Sequence, residues 1–213
     1  MATYLPRWLV GLYDPWVAAT MRERAFKERL IAQAGIRPGH RALDLGCGTG
    51  TLGVWIAQRV PGARVSGYDM DRNMLDLAER KARKAGVDIA WDCGSSARLP
   101  YEDGTFDRVL ASLLFHHLND EDKAATLGEA LRVLKPAGEM HIADWGRPRR
   151  RLMRALFRLV RLAEGLENTR VHALGRMPAL LAEAGFENIQ TTDRVGTVFG
   201  VIALCKGTKP VSA

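Results

Sequence analysis

The run Asp44-Leu45-Gly46-Cys47-Gly48-Thr49-Gly50 is the part of this chain best suited to chemistry. Glycines let a backbone turn sharply and let a ligand approach with no Cβ in the way. A helix starting just after such a loop points unpaired amide groups into the same space, which suits an anionic group. A plain strand-to-helix turn does not call for three glycines in five residues. One strand-and-helix unit later stands Asp69. A carboxylate at the tip of a second strand can accept from both hydroxyls of a ribose, so the pair points to an adenosine-bearing cofactor. A dinucleotide loop is the rival reading, with an NAD(P)-dependent oxidoreductase as its function. It requires G-x-G-x-x-G directly after the strand. Counted from Gly46, the last position is Thr51. The formal match at Gly48, Gly50 and Gly53 begins two residues late, so this reading ranks second.

Acid–base candidates lie further along. His116 and His117 follow a predicted strand, and Asp144 follows the next. His117 is the candidate general base, and His116, Asp144 and Tyr13 are candidates for facing the acceptor. Adjacent residues seldom face the same way, so one histidine of the pair is expected to pack or cap. The three cysteines, Cys47, Cys93 and Cys205, form neither a metal-ligand spacing nor an even-numbered disulfide framework. No metal site is expected, and a reducing, cytoplasmic compartment fits.

These residues need elements to position them. Asp14-Pro15 is a good helix start, and a helix is expected to run to Ala34, stopped by Gly35. Strands are predicted over 41–45, 64–68, 87–92, 106–112 and 139–143. Helices are predicted over 52–59, 72–85 and 121–134 between them. Such alternation builds a parallel sheet wrapped on both faces, with every strand's carboxyl end on one edge. The loop, Asp69, the histidines and Asp144 all fall at those ends. A further helix over 177–184 precedes strands over 187–193 and 197–204, whose short connection permits only an antiparallel pair. The tail 206–213 is expected to fray.

The net charge is +7, from 31 basic and 24 acidic residues. The stretch 145–163 holds seven arginines (147, 149, 150, 151, 154, 158 and 161) and no acid, which equals the whole excess. Arg151, Arg154, Arg158 and Arg161 recur on one helical face, and Leu152, Ala155, Leu156, Leu159, Val160 and Ala163 on the other. A solvated basic face explains this most simply. The functional reading is a lid over the acceptor pocket, with peripheral contact between 147–162 and an anionic membrane on its inner face. Nucleic acid is not expected as a partner, because stacking aromatics are sparse here. No apolar run approaches the roughly 20 residues that cross a bilayer.

Together the motifs resemble the class I S-adenosylmethionine-dependent methyltransferases, in their quinone-biosynthesis and small-molecule branch. Asp44–Gly50 resembles that family's first motif. Gly94-Ser95-Ser96-Ala97-Arg98-Leu99-Pro100-Tyr101 with Phe106-Asp107 resembles its approach to strand four. Ser112–Leu118 resembles the segment after that strand, and Arg132–Gly138 the turn into strand five. The resemblance covers roughly residues 36–145, in order and at the family's spacing. It implies a Rossmann-like, doubly wound α/β sheet, mostly parallel, with an antiparallel C-terminal strand pair. A helical cap would come from the N-terminus (1–35) and from a lid at 145–175 within a cofactor domain at 36–205. It implies S-adenosylmethionine as cofactor, with S-adenosylhomocysteine as product. Asp44 and the Gly46, Gly48 and Gly50 backbone would hold the methionine part, with Cys47 packing in the loop. Asp69 would bind the ribose, Met70 lie beside the adenine, Ser95 and Ser96 at its edge, and Ser112 near the methionine. Serine stands at 95 where many relatives carry aspartate, and Ala137 where glycine is usual. The acceptor would be small or amphipathic: quinone-, phenol-, amine- or lipid-like, a phospholipid amine at the membrane surface included. The protein would be a monomer or homodimer.

Overall fold

The computed structural model describes residues 22–148 and 151–211. Tyr13 and the helix start at Asp14-Pro15 lie outside the described residues. The first described helix, α1, spans Glu23–Ala34. Arg22 before it is left-handed, with φ 53°, so an unbroken helix over 14–34 is not what forms. Strand β1 (Arg41–Leu45) leads through the glycine loop into α2 (Thr51–Arg59). Next come β2 (Arg64–Asp69), α3 (Arg72–Ala85), β3 (Ala90–Cys93) and β4 (Phe106–Ser112). A 3-10 turn at Phe115–His117 precedes α4 (Asp120–Val133) and β5 (Leu134–Gly146). The remainder is α5 (Arg151–Glu164), α6 (Arg170–Leu174), α7 (Met177–Glu183), β6 (Glu187–Gly196) and β7 (Val201–Thr208).

Local chemistry explains the starts and stops. The Asp71 side chain caps α3 by accepting from the Asn73 amide at 2.8 Å, and left-handed Gly86 ends it. Asn119 caps α4, whose first turn carries Asp120, Glu121 and Asp122 at the positive end of the helix dipole. By contrast α2 begins at Gly50 without a side-chain cap, which leaves its first turn facing the loop.

The seven strands form one sheet in the order β3-β2-β1-β4-β5-β7-β6. Pairs from β3 to β5 are parallel; β7 is antiparallel to both β5 and β6. The doubly wound architecture and its antiparallel C-terminal pair are therefore as expected. Alternate strand residues feed two cores. Ala42, Leu110, Trp145 and Ile202 pack with Phe26, Leu30, Leu52 and Phe157 on one face. Leu43, Leu45, Val109 and Met140 pack with Phe115, Leu127 and Leu181 on the other.

Several elements differ from expectation. Strand β5 starts at Leu134, opposite Phe106, and Glu139 then pairs with Arg108, so the stretch between them bulges out of the ladder. Ala137 in that bulge has φ 61°, so the residue that replaces a glycine sits where glycine is favoured. Strand β7 runs on to Thr208, and the Lys209 amide donates to Gly138 O at 2.8 Å; the tail therefore starts beyond this point. Finally, α6 is an additional short helix between β5 and α7. No helix among the described residues is long and apolar enough to cross a membrane.

Candidate functional site

Gly46, Gly48 and Gly50 all have positive φ, at 69°, 52° and 73°. This is why the loop needs glycine at every second position. The amides of Gly46 and Cys47 both donate to Tyr68 O, at 2.8 and 3.1 Å, which ties the loop to the end of β2. A Cβ at Gly46 would meet Leu114 at 2.7 Å, and one at Gly50 would meet Trp91 and Ala78 at 2.6 and 2.7 Å. A Cβ at Gly48 would meet nothing within 4 Å. The loop is thus packed at both ends and open over its centre. Gly53, the third glycine of the dinucleotide register, lies inside α2.

Two carboxylates hold this loop from below. Asp44 is 1% exposed, and its Oδ2 accepts from the Gly53 amide at 2.9 Å. Burial pushes its carboxyl up to about 6, against the pull of Lys27 and of that hydrogen bond. Asp69 accepts from the Gly48 amide at 2.8 Å with Oδ2 and from the Asp71 amide at 2.9 Å with Oδ1. Its carboxyl is also raised, mainly by burial. Each oxygen still has a second lone pair for a ribose hydroxyl. Met70 is exposed beside it. Cys47 is buried, and burial drives its thiol well above the ordinary range, which makes it packing and not a nucleophile.

The remaining cofactor candidates divide. Ser95 Oγ accepts from the Ala97 amide at 3.3 Å and stays exposed. The Ser96 hydroxyl is 2.8 Å from Thr126 Oγ1, so it is turned toward α4. The Ser112 hydroxyl, at the carboxyl end of β4, is buried with no partner among the described residues. Leu113 after it has φ 58°, a strained conformation for leucine, and its amide donates to Ala143 O. Sequence reading missed Lys81, which donates to Thr49 and Thr51 at 2.9 and 2.7 Å and anchors α3 on the loop. Its distance along the chain leaves no short-range signature.

Beyond the loop lies a polar cluster at the ends of β4 and β5. Asp144 is fully buried and accepts from Phe115 N at 2.8 Å, Trp145 N at 2.7 Å and His116 Nδ1 at 2.8 Å. The His116 imidazole and the Trp145 amide hold its carboxyl well below the usual range despite burial. Its two oxygens are thus engaged by three donors, His116 among them. A carboxylate only accepts, so His116 Nδ1 carries the proton and Nε2 is its basic nitrogen. His116 is buried and His117 exposed, with ring centroids 3.9 Å apart. The expectation that only one histidine of the pair packs inward matches this arrangement, with His116 as the inward one. His172, on α6, joins them: its ring lies 6.2 Å from that of His116. Asn168 Nδ2 donates to His117 O at 3.2 Å, which ties the segment before α6 to the histidine turn.

Comparison with known proteins meets this geometry. A methyltransferase-domain family profile matches residues 42–138. "Methyltransferase GfsG" of Streptomyces halstedii is 33% identical over 188 residues, covering 84% of this chain and 63% of its own length. A demethylmenaquinone methyltransferase of Thermus thermophilus is 36% identical over 123 residues, 58% of this chain and 55% of its own. The chain thus spans less than two thirds of these relatives. A solved SAM-dependent methyltransferase from Aquifex aeolicus superposes with a TM-score of 0.65 at 21% identity, over 86% of this chain and 89% of that one.

Proposed function

We propose that this chain is a class I S-adenosylmethionine-dependent methyltransferase that transfers a methyl group from S-adenosylmethionine to a small or amphipathic acceptor. The observation that carries this is the loop with three positive-φ glycines, open over Gly48 and stapled there by Asp69. The residues fit the donor. Asp69 accepts from the ribose hydroxyls, and Met70 covers the adenine. The buried Ser112 hydroxyl takes the polar end of the methionine part, a partner the described residues do not supply. Ser95 faces the adenine edge as a neutral acceptor. Bound there, S-adenosylmethionine supplies a methyl group already activated on a sulfonium.

The protein's own work is alignment, dryness and a proton. An in-line displacement needs the acceptor held against the methyl group in a water-poor site. Leu114 walls the loop side at Gly46, and the lid closes over the histidine turn through Asn168. His116, fixed in one tautomer by Asp144, takes the acceptor's proton at Nε2. The Thermus thermophilus relative is a demethylmenaquinone methyltransferase, which supports a quinone- or phenol-like ring as acceptor here. Exposed Arg147 and Arg158, with Leu162 and Leu166, support contact between the lid and an anionic membrane surface.

Equilibrium binding separates this reading from a dinucleotide enzyme. S-adenosylmethionine should bind and NADPH should not; the reverse result ends the proposal. Methyl transfer to a panel of phenols, hydroquinones and amines then identifies the acceptor class. Co-sedimentation with anionic but not neutral vesicles tests the lid surface.

A further inference from the structure

His172 is the buried side chain that the proposed chemistry leaves unused. It lies in the lid segment, on α6, with its side chain fully buried. Its Nδ1 is 2.9 Å from Trp145 O, at the carboxyl end of β5. A carbonyl oxygen only accepts, so Nδ1 carries the proton. In the neutral ring, Nε2 then holds a lone pair. That nitrogen is buried and has no partner among the described residues.

A buried acceptor left unpaired carries the cost of the water it has lost. Such a cost at a rigid position invites a ligand donor. The surroundings place it beside the reaction. His172 Nδ1 is 3.9 Å from Asp144 Oδ1, and its ring stands edge-on to His116, the residue taken as base. Trp145 completes this wall, with its ring 6.4 Å from His116. The groups around His172 are thus one carboxylate committed to three donors, the His116 imidazole and the Trp145 carbonyl. None of these contacts gives Nε2 a donor.

We propose that His172 is a specificity-determining residue: its Nε2 accepts a hydrogen bond from a hydroxyl of the acceptor. The acceptor is then a phenol, enol or hydroquinone, and a quinone or an ether with only acceptor oxygens is disfavoured. A site built to pair a substrate hydroxyl rejects the analogue lacking it, because its own polar group stays unpaired. This deepens the proposed transferase reading and rests on it.

The test uses the whole chain loaded with S-adenosylhomocysteine, and two probes of similar shape: 1-naphthol and 1-methoxynaphthalene. Saturable S-adenosylhomocysteine binding is established first, and its absence would count against the transferase reading and not against His172 in particular. Calorimetry should then show the wild type binding 1-naphthol at least about tenfold more tightly than the ether, the factor that roughly 1.4 kcal/mol of unpaired-acceptor cost supplies. His172→Phe should abolish that preference while keeping S-adenosylhomocysteine affinity, and His172→Gln, which retains an acceptor, should recover part of it. Equal affinity of the wild type for the two probes, or no binding of either, overturns the assignment without recourse to any variant. A preference that survives in His172→Phe overturns it too.

Discussion

Asp44→Asn should make the protein more stable and worse at holding its donor. The Asp44 carboxyl is closed off from solvent, and its ordinary value of 3.8 is raised to about 6. A shift of about two units corresponds to roughly 3 kcal/mol between the two protonation states. The sign follows from proton counting. Between about pH 4 and 6 the folded protein holds a proton on Asp44 that the unfolded chain has released. Stability from this group is present below the unfolded value and is lost as pH rises through about 6. At pH 8 the native state carries the whole cost of a buried carboxylate, offset only partly by Lys27 and worsened by Asp69. Asparagine keeps an oxygen for the Gly53 amide, now at 2.9 Å, and carries no charge. Urea unfolding of parent and variant at pH 4 and pH 8 reads the difference. The variant should gain up to about 3 kcal/mol at pH 8 and close to nothing at pH 4, while its S-adenosylmethionine affinity falls. A stability difference that is the same at both pH values, or a variant weaker than the parent at pH 8, would refute the reasoning.

Other outcomes follow from the same geometry. Asp69→Ala frees the Gly48 amide and removes the ribose acceptor, so S-adenosylmethionine affinity should drop by about 1–3 kcal/mol; an unchanged dissociation constant in calorimetry contradicts that role. Ala137→Gly relieves a left-handed alanine worth about 1–2 kcal/mol of strain, less the added chain entropy. The melting midpoint should rise slightly, and a fall would show that the bulge does not strain Ala137. Asp144→Asn removes the charge that fixes the His116 ring while leaving any direct acceptor contact intact. In steady-state kinetics kcat should fall far more than KM changes; a change confined to KM would place Asp144 against the acceptor after all.

The regular half of the fold was legible because the strands that matter are short, apolar and bounded by glycine. Residues 41–45 and 106–112 form strands at the expected bounds. The glycine loop was legible for a stronger reason: a positive φ at every second residue leaves few choices but glycine. What failed was decided by partners far along the chain. The extension of β5 back to Leu134 depends on pairing with Phe106, and that of β7 to Thr208 on pairing with Glu139. Helix α6 is too short to show a period. Which histidine turns inward is set by Asp144, and no local pattern carries that contact. His172 gave no signal either, because its meaning comes from Trp145 O and His116 across the site.

The place of β7 bears on how the sheet is put together. Strand β6 meets the rest of the sheet only through β7, which lies between it and β5. A nucleus of parallel strands can therefore form and condense before either joins, and the two can zip together locally first, as neighbours in the chain. We expect them to attach and detach as one cooperative unit, with amides of β6 and β7 exchanging hydrogen at a common rate distinct from that of β1 and β4. Exchange of β6 alone, with β7 still protected, would show that the outer strand opens independently. Because β5 carries Trp145 and Asp144 on the seam with β7, docking of the β6–β7 pair also stiffens the wall that holds the histidines. The seam and the histidine cluster should then loosen together, so a substitution that weakens β7 pairing is felt at His116 as well as at the sheet edge.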